Sequence, residues 1–231
     1  MADWFVIQTQ SNPTAWNMAC DEYLMRQCIS GELKSGVLRL YFFSDSSYTM
    51  GYGVRHQQVD SDPEAHIIRR LTGGGVVAHG DDIGFSLIMP QDGLFRTVQG
   101  SYQLVHQWIQ QSLSELNISS NLFESCQNHN KYLSTSCFET PIKHDLMAEG
   151  VKIAGGAQRR LSGWVLHQGS LAFHKIESQD SPDVLFQSMI RCAGERFKIN
   201  MKKMELSKSD ENAIRVLCDE KYMNDTWNRK R

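Results

Sequence analysis

Tyr102, Val105, Ile109, Leu113 and Leu116 recur three and four residues apart, which puts five apolar side chains on one face of an α-helix of about four turns. A helix with a single apolar face must bury it against another element, and strand-like candidates stand on both sides of it in the chain. Val37 to Phe43 is rich in β-branched, leucine and aromatic residues. Ile67-Ile68 and Val76-Val77 bracket a run of glycines, and Phe85 to Met89 and Trp164 to Phe173 are further apolar runs. All of these read as strands. Asp145 to Ala148 and Lys152 to Ala154 flank Glu149-Gly150 as the arms of a hairpin.

Helices are expected at both ends. Asn12-Pro13 reads as a cap followed by a first-turn proline, opening a helix over 13–29 with Trp16, Ala19 and Tyr23 on one side. Asp183 to Ile190 and Lys208 to Leu217 supply closing helices. This order predicts an α+β fold, a mixed β-sheet flanked by helices. Residues 117–136 are polar and rich in Asn and Ser, as a surface loop would be.

With 231 residues, 41% of them apolar, the chain can bury a sizeable core, and a single domain over 1–231 is expected. A formal charge of −2 gives no overall reason to expect nucleic acid or a membrane surface as partner. The N-terminus, Met-Ala-Asp-Trp, has no basic or apolar leader, and no apolar run approaches the ~18 residues of a membrane span. A cytoplasmic protein is therefore expected. Cys20, Cys28, Cys126, Cys137, Cys192 and Cys218 show no CxxC spacing, so each reads as a reduced thiol, either core filler or nucleophile. Cys126, His129 and Cys137 match no zinc pattern, and no metal is expected.

In Arg69-Arg70-Leu71-Thr72-Gly73-Gly74-Gly75, two arginines leave a strand just before three residues without a Cβ. Backbone amides there, with one guanidinium, could hold a phosphate or carboxylate. The plainer reading is a turn with its arginines on a solvated edge. On the glycines alone that reading is preferred, because the loop matches neither the P-loop nor the dinucleotide pattern.

A longer stretch changes the weighing. RRLTGGGVVAHGDDIGFSL resembles the signature of the lipoate-protein ligase and octanoyltransferase superfamily, and NMACDEYL (17–24), LRLYFFSDSSYTMGYG (38–53) and VKIAGGAQRRLSGWVLHQGSLAF (151–173) agree with it in order and spacing. The resemblance implies a fold of the lipoate/biotin protein ligase catalytic-domain type, with an acyl tunnel beside the glycine loop. It implies that Arg70, Thr72, Gly73, Gly74, Gly75 and His79 line the acyl or acyl-adenylate site, and that Gly155 and Gly156 let the chain pass close to the acyl group. Lys152 stands where this superfamily places the single lysine of its reaction centre, and its charge would stabilise developing oxyanion. Outside the motif it would read as a solvated strand lysine.

Cys137, in SCFETP (136–141), resembles the CF-x-x-P element of the octanoyltransferase branch with a nucleophilic cysteine. Such a thiolate could take an acyl group from a thioester and surrender it to an amine, with a nearby ammonium lowering its pKa. The implied activity is octanoyl or lipoyl transfer to the acceptor lysine of a lipoyl domain, as an amide. The implied partners are lipoyl domains of 2-oxoacid dehydrogenases or the glycine cleavage H protein, with acyl carrier protein as donor and no cofactor. Gly75 stands where the cysteine-dependent transferases often carry arginine and matches the ligase form, so an ATP- and Mg2+-dependent lipoate ligase is the alternative. The Arg-Asn-Asp segment of ligases is absent near 137, and the chain after Phe173 is too short for their C-terminal accessory domain. Biotin ligation is disfavoured by the missing GRGRxGR-type loop, and a non-catalytic lipoate- or lipoyl-domain-binding module ranks last.

Overall fold

The computed structural model describes residues 1–59, 66–124 and 141–230. In chain order the elements are β1 (Ala2–Gln8), α1 (Thr14–Ser30), β2 (Val37–Phe42), β3 (Ser47–Met50), β4 (Ile67–Arg69), β5 (Val76–His79), β6 (Ile83–Pro90), α2 (Val98–Ser114), β7 (Asn121–Leu122), β8 (Leu146–Ala148), β9 (Val151–Leu161), β10 (Trp164–Leu171), α3 (Pro182–Phe197), β11 (Ile199–Lys203), α4 (Lys208–Leu217) and α5 (Asp225–Asn228). Eight strands form one mixed sheet in the order β11-β1-β2-β6-β10-β9-β8-β7. β1 is parallel to both its neighbours, and the remaining pairs are antiparallel. A small sheet, β4-β3-β5, stands apart from it.

The periodic helix is α2. Val105, Trp108, Ile109 and Leu113 are fully buried, and the Thr97 hydroxyl caps the helix by accepting from Gly100 N. With α3 it covers one face of the large sheet, where Phe85, Leu87 and Met89 project. The opposite face carries Val37, Ile88 and Leu166 under α1.

The sequence reading of α1 needs two corrections. Pro13 is itself the capping residue, with ψ at 147°, rather than the first helical residue, and the open amide of Thr14 donates to Asp45 Oδ1 at 2.9 Å. Nor is the helix a one-sided stripe. Asn17, Asp21 and Glu22 are buried along with Met18, Ala19 and Leu24, while Trp16 and Tyr23 are only half-buried. The cause is position: α1 lies between the large sheet and the C-terminal helical segment, so both of its sides are covered. Among the strands, Glu149 and Gly150 both take positive φ, as the expected hairpin requires. β4 and β5 are not neighbours, because each pairs with β3 instead. Of the polar stretch 117–136, residues 125–136 lie outside the described residues.

Candidate functional site

The glycine loop sits between β4 and β5 and is held by buried arginines. Arg69, fully buried, donates to the carbonyls of Gly51, Tyr52, Val54, Trp227 and Asn228. Arg70, 6% exposed, donates to Thr49 O and Oγ1 and to the carbonyls of Gly73 and Gly75. The solvated-edge reading is thus overturned. Arg70 is built into the glycine loop itself, while Arg69 ties the adjoining 51–54 turn to the C-terminal helix, and the physical reason is the same for both: tight turns leave main-chain carbonyls without strand partners. The loop also crosses backbone on backbone, since a Cβ at Gly51 would lie 2.0 Å from Gly74 O. Gly74, at φ 84°, takes the left-handed region.

Thr72 fixes the loop to the large sheet. Its hydroxyl donates to Gln168 Oε1 at 2.9 Å, and Gln168 Nε2 donates in turn to Asp21 Oδ2 at 2.8 Å. Asp21 is paired with Arg39 at 2.8 Å, both side chains fully buried. On β10, Ser170 is two residues beyond Gln168 and shares its face, and Ser170 is directly opposite Gly155 of β9. Directly opposed antiparallel residues keep their Cβ positions ~5 Å apart, so the loop, Ser170 and Gly155 occupy one patch of one face.

Lys152 completes that patch. It is 7% exposed, which rules out the solvated strand lysine, and its Nζ pairs with Asp145 Oδ2 at 2.8 Å. The side chain lies over Gly155: a Cβ there would be 2.7 Å from Lys152 Cε, 2.9 Å from Nζ and 3.2 Å from Asp145 Oδ1. A Cβ at Gly156 would be 2.4 Å from His167 Nε2. The room these two glycines leave is therefore filled by Lys152 and His167.

His79, on β5, is held from both ring nitrogens, by Asp82 Oδ2 at 2.8 Å and Thr49 Oγ1 at 2.8 Å, and it stacks on Phe43. Burial works against the charge on Asp82, but the His79, Ser170 and Gly80 hydrogen bonds outweigh it and hold the carboxyl below its usual range. These groups border a cavity of about 460 Å³ whose lining combines Val76, Ala78 and Ala172 with His79, Asp82, Ser170 and Lys175. Through Ser170 this cavity adjoins the Gly155 position over which Lys152 lies.

Beside the Tyr102 ring, burial pushes His106 down to about 4 and His167 well below 6.5. Both rings are neutral at neutral pH and add no competing cation beside Lys152. Among the described cysteines, burial raises Cys20 and Cys28 to about 12, Cys218 to about 11, and Cys192 as well, so all four behave as core filler. Cys126, His129 and Cys137 lie outside the described residues. The residues that sequence reasoning missed are Tyr102, Asp145 and Gln168. In the sequence Tyr102 is one more apolar helix position, Asp145 a strand start and Gln168 part of a strand, and no local pattern marks their partners.

No helix among the described residues is long and apolar enough to cross a membrane. The model of the lipoyl protein ligase A/B catalytic domain matches residues 13–185. The octanoyltransferase LipM of Staphylococcus aureus (strain NCTC 8325 / PS 47) is 31% identical over 229 residues, covering 94% of this chain and 80% of that protein. Among solved structures, a lipoate-protein ligase A with bound ATP superposes with a TM-score of 0.77 at 22% identity, covering 99% of this chain and 98% of that one. A bipartite lipoate protein ligase from Thermoplasma acidophilum superposes at 0.74 and 20%, covering 99% and 96%. The mixed sheet with its flanking helices is the fold these ligases share. Because the match spans the glycine loop, Lys152 and most of the sheet that joins them, the chain belongs to the lipoyl protein ligase A/B catalytic-domain family.

Proposed function

We propose that the protein transfers an octanoyl group from a thioester donor to the acceptor lysine of a lipoyl domain, through a thioester on Cys137. The observation that carries this reading is the buried Lys152 ammonium, fixed over Gly155, whose cross-strand partner Ser170 lines the cavity, in a chain 31% identical to an octanoyltransferase over most of its length. In the first half-reaction the Cys137 thiolate attacks the donor carbonyl, and the donor thiolate leaves. In the second, the neutral lysine amine of the lipoyl domain attacks the enzyme thioester. The amide forms, the Cys137 thiolate departs, and the amine proton is released. Lys152 stabilises the oxyanion in both steps. A thioester is already activated, so this route consumes no nucleotide.

A further consideration favours Cys137: the four described cysteines are buried with raised pKa values. Acyl carrier protein is the proposed donor. Lipoyl domains of 2-oxoacid dehydrogenases and the glycine cleavage H protein are the proposed acceptors.

Intact mass after incubation with octanoyl carrier protein, without ATP, tests the reading. One added octanoyl group on the wild type and none on Cys137→Ser is the expected result, with transfer to a lipoyl domain lost in the variant. Normal transfer by Cys137→Ser refutes the covalent route. A requirement for ATP and free acid would establish the ligase chemistry instead.

A further inference from the structure

We propose that Tyr102 and Asp145 are positioning residues that hold the Lys152 ammonium at its reacting site; the inference rests on the reading of Lys152 as the oxyanion-stabilising cation. Three donors converge on the Asp145 carboxylate. Tyr102 Oη donates to Oδ1 at 2.6 Å, Ile142 N donates to Oδ2 at 2.7 Å, and Lys152 Nζ meets Oδ2 at 2.8 Å. The Asp145 side chain is fully buried. Its main chain is fixed on both sides, with Phe123 N donating to Asp145 O and Asp145 N donating to Ile142 O.

Tyr102 extends this arrangement into the fold. Its hydroxyl accepts from Gly156 N at 3.2 Å, so one oxygen ties β9 to the carboxylate. Its ring lies 4.3 Å from that of His106, whose Nδ1–H donates to the Tyr102 carbonyl. A lysine head at the end of four rotatable bonds would otherwise sample many positions. Here α2, β9 and the Ile142–Asp145 turn all converge on one. Stability alone is a poor explanation for this pairing, because a buried ion pair is often replaceable by apolar residues without loss.

The test is steady-state transfer of octanoate from octanoyl carrier protein to a lipoyl domain by Asp145→Asn, Tyr102→Phe, the double variant and Lys152→Met, with thermal unfolding of each. Asp145→Asn places a neutral amide against three donors and removes the carboxylate that fixes the ammonium, and a misplacement of this kind costs about 10²-fold in kcat, with KM for the donor little changed. Tyr102→Phe removes one hydrogen bond to a charged group and should cost about tenfold in kcat. If the two act as a unit, the double variant falls no lower than Asp145→Asn. Effects that multiply independently, or that fall on KM alone, overturn the proposal. Wild-type kcat in folded Asp145→Asn, with Lys152→Met inactive, overturns it while sparing the proposed function; wild-type kcat in Lys152→Met overturns both. Should Asp145→Asn fail to fold, Tyr102→Phe decides: a kcat loss with KM kept supports the proposal, and wild-type kcat refutes it.

Discussion

Two adjacent glycines, each replaced by alanine, should fail in different ways. At Gly155 the new methyl would sit 2.7 Å from Lys152 Cε and 2.9 Å from Nζ. To reach the 3.4 Å of ordinary van der Waals contact, the lysine head must move by about 0.7 Å. The nearest obstacle is a side-chain end rather than backbone, with Asp145 Oδ1 also close at 3.2 Å, so the strain falls on the Lys152–Asp145 pair, and alanine offsets part of it with the ~0.4–1 kcal/mol it recovers by restricting the unfolded chain. The head that moves is the one Asp145 holds, and a displacement approaching 1 Å at a reacting group costs about 10²-fold in rate. At Gly156 the methyl would meet His167 Nε2 at 2.4 Å and Gln168 O at 2.9 Å. The second contact is backbone of the neighbouring strand, which cannot swing aside, so overpacking of about 1–3 kcal/mol is expected. Thermal unfolding followed by circular dichroism, together with octanoyl transfer under saturating donor, separates the two. Gly155→Ala should keep Tm within about 2 °C of wild type and lose about two orders of magnitude in kcat. Gly156→Ala should lose about 2–4 °C of Tm for each kcal/mol. A Gly155→Ala variant with wild-type kcat would refute the claim that the Lys152 position over Gly155 matters to the chemistry.

Arg39→Met should lower stability by about 3–5 kcal/mol in urea titration, because it leaves the fully buried Asp21 carboxylate without its cation; a loss below about 1 kcal/mol would show that the Ser86 and Gln168 hydrogen bonds suffice to hold that charge. His106 titrates near 6.5 when unfolded but is pushed down to about 4 in the fold by burial, so the unfolded chain binds the extra proton between those values. Stability should fall as pH drops from 6.5 towards 4, by up to an amount on the order of 3 kcal/mol from this ring, with His167 adding in the same direction. Urea midpoints at pH 7, 5 and 4 should show a shallower decline for His106→Phe than for wild type, and equal declines would contradict the assignment.

Sequence by itself determined the parts whose signals lie among near neighbours. The three- and four-residue spacing of Val105, Ile109 and Leu113 gave α2 its buried face, because helical periodicity is local. Glu149-Gly150 marked a hairpin, because its turn needs residues that tolerate positive φ. The motif runs around Gly73 and Lys152 marked the family and the loop that belongs near the lysine. β1, β3, β11 and α5 carry no mark in the sequence, β7 lies inside a stretch that reads as a surface loop, and the buried set of α1 is not legible in its pattern, because burial on both sides erases the stripe that a one-sided helix displays. Only the tertiary structure decided which groups serve the site. Tyr102 reaches Asp145 across 43 positions, Thr72 reaches Gln168 across 96, and Arg69 reaches Asn228 across 159. Side chains at such separations leave no periodic trace in one sequence, since their pairing is fixed by the strand register and helix docking that bring them within hydrogen-bond distance.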